Sequence, residues 1–173
     1  MELDINFVRD QFPAFSESSL KNKAFFENAG GSYACGQVIN RLNRFYKERK
    51  VQPYGAFEAS ISGGAEMDEA RSGLARYLGV KDYEVSFGPS TSQNTYVLAQ
   101  AFGDWLSPSD TIIVTNQDHE ANTGSWRRLT NRGVKVKEWQ VNKETGELNL
   151  ENLENLLDEN VKLLCFPHCS NIV

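Results

Sequence analysis

Hydrophobic positions along the chain change their rhythm near residue 80. Before it they recur at helical spacing. Val38, Ile39, Leu42, Phe45 and Tyr46, closing at Arg49, define one amphipathic helix. Met67, Ala70, Leu74, Tyr77 and Leu78 share a face of a second, over about residues 65 to 78, with Gly79 where a C-terminal capping glycine belongs. A loop with Pro53 and Gly55 separates them. Beyond residue 80, short apolar runs alternate with helical patterns. Strands are predicted near 84–87, 111–115, 134–141 and 162–166, and helices over 92–106, 121–131 and 150–158. Residues 1–36 read as irregular, with turn-formers in Asn28-Ala29-Gly30-Gly31-Ser32.

Strand and helix in turn, joined by short links, imply parallel strands with right-handed crossovers. Ile112-Ile113-Val114 and Leu163-Leu164 are apolar without alternation, as expected of strands covered on both faces. The expected fold is therefore α/β, a doubly wound and mostly parallel sheet with two lead-in helices. Four strands are few for this design, and the pattern stops just after the last one. The expectation is a piece of a larger domain.

Composition narrows the function classes. The chain has 173 residues, 40% hydrophobic and 24% charged, an ordinary balance for a packed globular domain. A net charge of −5 and a pI near 5.1 argue against nucleic acid and against a polybasic membrane patch as partners. No apolar run reaches the roughly 20 residues of a membrane helix, and residues 1–10 lack the layout of a signal peptide. Three cysteines, Cys35, Cys165 and Cys169, fit free thiols in a reducing compartment, so a cytoplasmic location is expected.

Open parallel sheets bind ligands at the carboxyl ends of their strands, and three polar clusters fall there. Ser90-Thr91-Ser92, after Gly88-Pro89, opens a helix. Its free N–H groups, dipole and hydroxyls could cup a phosphate, or Ser90 or Thr91 could simply cap the helix. The segment has no Walker lysine and no GxGxxG fingerprint, which disfavours a nucleotide or nicotinamide enzyme. Asp118-His119-Glu120-Ala121-Asn122 carries a histidine that could stack on a flat ring, transfer protons, or be a surface residue. Cys165-Phe166-Pro167-His168-Cys169-Ser170-Asn171 suggests a metal site, but no second Cys/His cluster completes a tetrahedral set, and no metal is expected. A thiol nucleophile at Cys169 has no identifiable base. On these residues alone, an enzyme and a non-catalytic anion- or nucleotide-binding α/β domain both stand.

Taken in order, the clusters resemble the class V aminotransferase and cysteine desulfurase family of pyridoxal-phosphate enzymes. Asn28-Ala29-Gly30-Gly31 after Phe25-Phe26 is similar to its early small-residue motif, and Ser90-Thr91-Ser92 to its phosphate turn. Asp118-His119-Glu120-Ala121-Asn122, with Trp126 beyond, resembles the stretch with the ring-stacking histidine. Gly146-Glu147-Leu148 precedes a helix as in the family, and His168-Cys169-Ser170-Asn171 is similar to its His-Val-Ser-Asn. The resemblance implies part of the large domain of a fold-type I enzyme, with 1–36 an N-terminal arm and active-site-loop segment and 37–173 an incomplete cofactor-binding domain. It implies pyridoxal 5′-phosphate as cofactor, a small amino acid as substrate and a homodimer. Thr91 and Ser92, beside Ser90, would hold the phosphate. His119 would stack on the ring, Asn171 would bond the ring hydroxyl, and Asn122 would be a nearby polar contact. The family's Schiff-base lysine and its aspartate for the ring nitrogen would lie downstream of Asn171, so the catalytic residues have no counterpart here, and the 173 residues alone are expected to be inactive. Glu120 stands where the desulfurase branch commonly has a second histidine, Ser92-Gln93 follows Thr91 in place of Thr-Glu, and Cys169 replaces the valine. These departures bear on the reaction branch more than on the fold, and the His-Glu-Ala-Asn pattern looks closer to aminotransferase-like and epimerase-like members.

Overall fold

The computed structural model describes residues 3–171, which group into two compact units divided between Ser86 and Phe87. The first unit is helical. Helix α1 (Ile5–Asp10) starts where the Asp4 carboxylate accepts the Phe7 N–H at 3.0 Å. Short 3-10 turns follow at Pro13–Ser16 and Ser18–Leu20. The stretch read as irregular thus holds a helix of six residues, too short to show a periodicity. Helix α2 (Gly36–Arg44) continues into a π-helical turn (Phe45–Arg49). Its polar side meets α3 (Glu58–Leu78), where Arg41, Arg44 and Arg49 converge on the Glu66 carboxylate at 3.4, 2.7 and 3.7 Å. Its apolar stripe is open: Val38, Ile39, Leu42, Phe45 and Tyr46 are all exposed.

Helix α3 begins seven residues before the expected start. The segment Glu58-Ala59-Ser60-Ile61-Ser62-Gly63-Gly64 lacks an apolar stripe because small residues are needed there. The loop before the helix lies on it. Buried Ser60 Oγ accepts the Gly55 N–H at 2.6 Å and donates to the Gln52 carbonyl, and a Cβ on Gly64 would stand 2.7 Å from the Tyr54 ring. At the other end Gly79 adopts φ +72°, with Val80 N–H bonding the Ala75 carbonyl and Gly79 N–H that of Arg76, as its place in the sequence predicts. Gly79→Ala should cost about 1 kcal/mol through that left-handed conformation. A denaturation midpoint equal to the wild type's would contradict it.

The second unit is the sheet. Strands β1 (Thr111–Thr115), β2 (Lys135–Trp139) and β3 (Val161–Cys165) are parallel in the order β2-β1-β3. Ile112 pairs with Val136 and Leu163, and Val114 with Glu138 and Cys165, so these six share a face; Lys162 is the extra residue of a bulge. Helices α4 (Thr91–Trp105) and α5 (Glu120–Arg127) cover that face. Ala99, Leu106, Trp126, Leu129 and Val134 close a core on Ile112 and Val114, and Arg127 pairs with Glu138 at 2.5 Å. On the other face Trp139 Nε1 donates to the Asn149 carbonyl at 2.9 Å and Lys137 Nζ to that of Leu156 at 2.7 Å, which holds α6 (Leu150–Glu154) and its continuation. Helices on both sides of a parallel sheet make the fold doubly wound.

One expected strand is missing. Residues 84–87 are not paired with any described strand. A 3-10 turn (Asp82–Glu84) occupies the start, and Val85 is extended beyond it with φ −108° and ψ 122°. The backbone conformation was readable in the sequence; the strand also needs a neighbour.

Lys137 also meets Asp158, at 2.6 Å. The bond from Lys137, then that from the Asn160 N–H, lowers the Asp158 pKa below its ordinary value. A depressed carboxylate stabilises the fold above its unfolded pKa and loses that contribution as pH falls through the lower folded value. Lys137→Met should therefore weaken the fold at neutral pH and flatten the acid limb of stability below about pH 4. Unfolding curves that stay parallel to the wild type's at every pH would contradict it.

Candidate functional site

The loop after the central strand organises the carboxyl edge of the sheet. Asn116 Oδ1 accepts the Val141 N–H, Gln117 Nε2 donates to the Gly146 carbonyl, and Ser170 Oγ donates to the Gln117 carbonyl, each at 2.8 Å. The loops following all three strands are thereby stitched together. Gly146 takes φ +74° at the end of a turn in which Asn142 Oδ1 accepts the N–H groups of Glu144 and Thr145. Asn116 and Gln117 did not stand out in the sequence, because their bonds join side chain to backbone across 25 residues or more.

At this edge lies a cavity of about 500 Å³ lined by Thr91, Ser92, Asp118, His119, Ala121, Asn122, Cys169, Ser170 and Asn171. It brings together five of the six residues singled out in the sequence, from three separate segments. The sixth, Ser90, is the N-cap of α4: its Oγ accepts the Gln93 N–H at 3.2 Å. Ser90 caps the helix, and Thr91 and Ser92 on its first turn line the cavity, with no side-chain hydrogen bond to either among the described residues.

His119 is the N-cap of α5. Its Nδ1 accepts the Ala121 N–H at 3.0 Å, which places the ring proton on Nε2 and fixes the ring at the cavity wall. Asp118 Oδ1 accepts the His119 N–H at 2.7 Å, and Asn122 Nδ2 donates to Asp118 Oδ2. Asn122 lines the cavity with one N–H of its amide committed to Asp118, and Asp118 is a member that sequence reasoning left unassigned. The i, i+4 spacing of Asp118 and Asn122 at a helix start was the available signal.

The two thiols at this end are unlike. Cys165 packs against the core beneath α5 and its pKa is pushed up to about 11, by burial first and the Asp118 charge second. Cys169 is exposed and lines the cavity. At pH 8 roughly one Cys165 thiol in a thousand is ionised. Iodoacetamide should therefore label Cys169 well before Cys165. Equal labelling of both in a peptide mass map would contradict the placement of Cys165.

A second cleft, of about 400 Å³, adjoins the first between α4 and α5, lined by Ser92, Tyr96, His119, Glu120, Ser125 and Arg128 among others. It shares Ser92 and His119 with the cavity, so both open along one edge.

The model of the class-V aminotransferase family matches residues 24–173, and the chain belongs to that family, whose enzymes depend on pyridoxal phosphate. It is 33% identical over 175 residues to an aminotransferase-like protein, FGM3, of Gibberella zeae, covering 98% of this chain and 42% of that protein. It is 29% identical over 178 residues to a cysteine desulfurase of Serratia proteamaculans, covering 100% of this chain and 44% of the relative. The apo structure of a cysteine desulfurase from Thermococcus onnurineus superposes with a TM-score of 0.84 at 25% identity, over 99% of this chain and 41% of that one. The chain thus spans less than half the length of these relatives, and its sheet matches the large domain of fold-type I enzymes.

Proposed function

We propose that the intact protein uses pyridoxal 5′-phosphate to transform a small amino acid, and that the 500 Å³ cavity at the carboxyl edge holds the cofactor. The observation that carries this reading is the convergence of Thr91 and Ser92, His119 and Asn171 on one cavity from the start of α4 and the loops after β1 and β3. Each offers what one part of the cofactor needs. A phosphate dianion suits the first turn of α4, where backbone N–H groups, the positive end of the helix dipole and two hydroxyls coincide. A pyridine ring suits the flat face of His119, whose orientation the Ala121 bond fixes. A ring hydroxyl suits the amide of Asn171. The volume falls in the range of small-molecule sites.

When bound, the cofactor supplies an electron sink for charge developing at Cα or Cβ of the amino acid. The residues of this chain bind and orient it. No lysine lines the cavity among the described residues, so the covalent anchor comes from elsewhere in the protein. Desulfuration, transamination and epimerisation share this arrangement, and Glu120 beside His119 favours the branches other than desulfuration.

The test is His119→Ala in the intact protein. Losing the ring face should weaken cofactor binding about two- to tenfold, since an aromatic stacking contact is worth about 0.5–1.5 kcal/mol, and should shift the cofactor's absorbance maximum. An unchanged spectrum and affinity would reject the stacking role. The competing reading, a non-catalytic anion-binding domain, predicts that inorganic phosphate binds as well as pyridoxal phosphate does.

A further inference from the structure

His119 is a candidate cofactor contact whose side chain is also a helix cap, so its position depends on the turn that carries it. That turn is held from outside the ring. Asp118 precedes the cap residue and Asn122 ends the first turn of α5, and the two side chains meet over the peptide between them. One Asp118 oxygen takes the His119 N–H at 2.7 Å; the other takes the Asn122 amide. The His119 carbonyl accepts the N–H groups of Asn122 and Thr123 at 2.9 and 3.1 Å. Both sides of the His119 backbone are thereby fixed, and Nδ1 faces the Ala121 N–H.

We propose that Asp118 and Asn122 form a positioning pair that holds the His119 ring in its Nε2–H tautomer against the cavity, so that cofactor affinity depends on the bond between them. For its consequence this rests on the cofactor reading above; its geometry does not. Asn122 then acts through Asp118 and His119. The arrangement is economical in physical terms. A ring that must present one face needs two torsions fixed, and the cap bond from Ala121 fixes them only while the first turn of α5 stays closed. The carboxylate closes it with two bonds, at least one of them to a group that cannot move without unwinding the helix.

The test uses the intact protein and two readouts. Asp118→Ala removes both bonds. Asn122→Asp sets two carboxylates against each other. Each should lower pyridoxal-phosphate affinity about tenfold, a coupling typical of residues in one hydrogen-bond network. Each should also blur the nitrogen-15 pattern of the His119 ring from one acceptor nitrogen and one N–H nitrogen to a mixture of tautomers. The double exchange, Asp118→Asn with Asn122→Asp, restores donor to acceptor with the roles reversed. It should recover affinity to within about threefold and return the single tautomer. Full affinity and an unmixed tautomer in the single variants would overturn the proposal, and so would a double variant no better than Asn122→Asp. Should the wild type not bind pyridoxal phosphate at all, the cofactor reading falls, and the ring tautomer in the three variants still decides whether the pair positions His119.

Discussion

Pyridoxal-phosphate affinity is expected to fall on the order of 100-fold when Thr91 and Ser92 are both replaced by alanine in the intact protein. Both residues line the cavity where α4 begins, and their hydroxyls have no side-chain hydrogen-bond partner among the described residues. A hydrogen bond to a charged group contributes about 1.5–3 kcal/mol, part of which water recovers when the hydroxyl is removed. Two such losses give the expected factor. The backbone N–H groups and the helix dipole remain, so binding should weaken rather than vanish. Ser90→Ala is the instructive partner. Its hydroxyl caps the helix through the Gln93 N–H at 3.2 Å, so it should cost about 1 kcal/mol of stability with less effect on affinity than the double variant. A titration in which Ser90→Ala loses more affinity than the Thr91 and Ser92 double variant would reverse the assignment of the turn.

The second large effect is on the fold that carries the site. Ile113 is fully buried at the centre of β1, between β2 and β3, and the loop that follows the strand carries Asn116, Gln117, Asp118 and His119. Ile113→Ala should destabilise the protein by about 2–5 kcal/mol, through lost burial and the cavity left behind, and Ile113→Val by about 0.5–1.5 kcal/mol. Chemical denaturation measures both. Because the site hangs from this strand, the alanine variant should lose cofactor binding in parallel with folding. A stable Ile113→Ala variant would show that β1 is not the central support described here.

How much of this was legible depended on the range of the interaction concerned. Helix α4 announced itself through Ser90, a capping residue placed just before the first helical turn, and β1 through an unbroken apolar run, both local signals. The end of α3 was legible because Gly79 alone suits its left-handed backbone. Its start was not, since Ser60 and Gly64 are small to admit a loop that periodicity cannot see. Residues 84–87 were read as a strand from an extended backbone that has no partner among the described residues. The site followed the same rule. Parallel strands end on one edge, so His119 and Asn171, which follow β1 and β3, could be placed together from topology; Thr91 joins them although the strand expected before it is not formed among the described residues. The bonds inside each cluster could not be read this way: Ser90 caps α4, and Asn122 donates to Asp118, through bonds that only the folded backbone defines.

The central claim is that the start of α4 and the loops after β1 and β3 build one cofactor site. Difference electron density from crystals of the intact protein grown with pyridoxal phosphate tests it directly. The account predicts the phosphate on the first turn of α4 within hydrogen-bond distance of Thr91 and Ser92, the ring against the face of His119, and the ring hydroxyl on Asn171. Density for the cofactor elsewhere, or in this cavity with its phosphate away from α4, would contradict it.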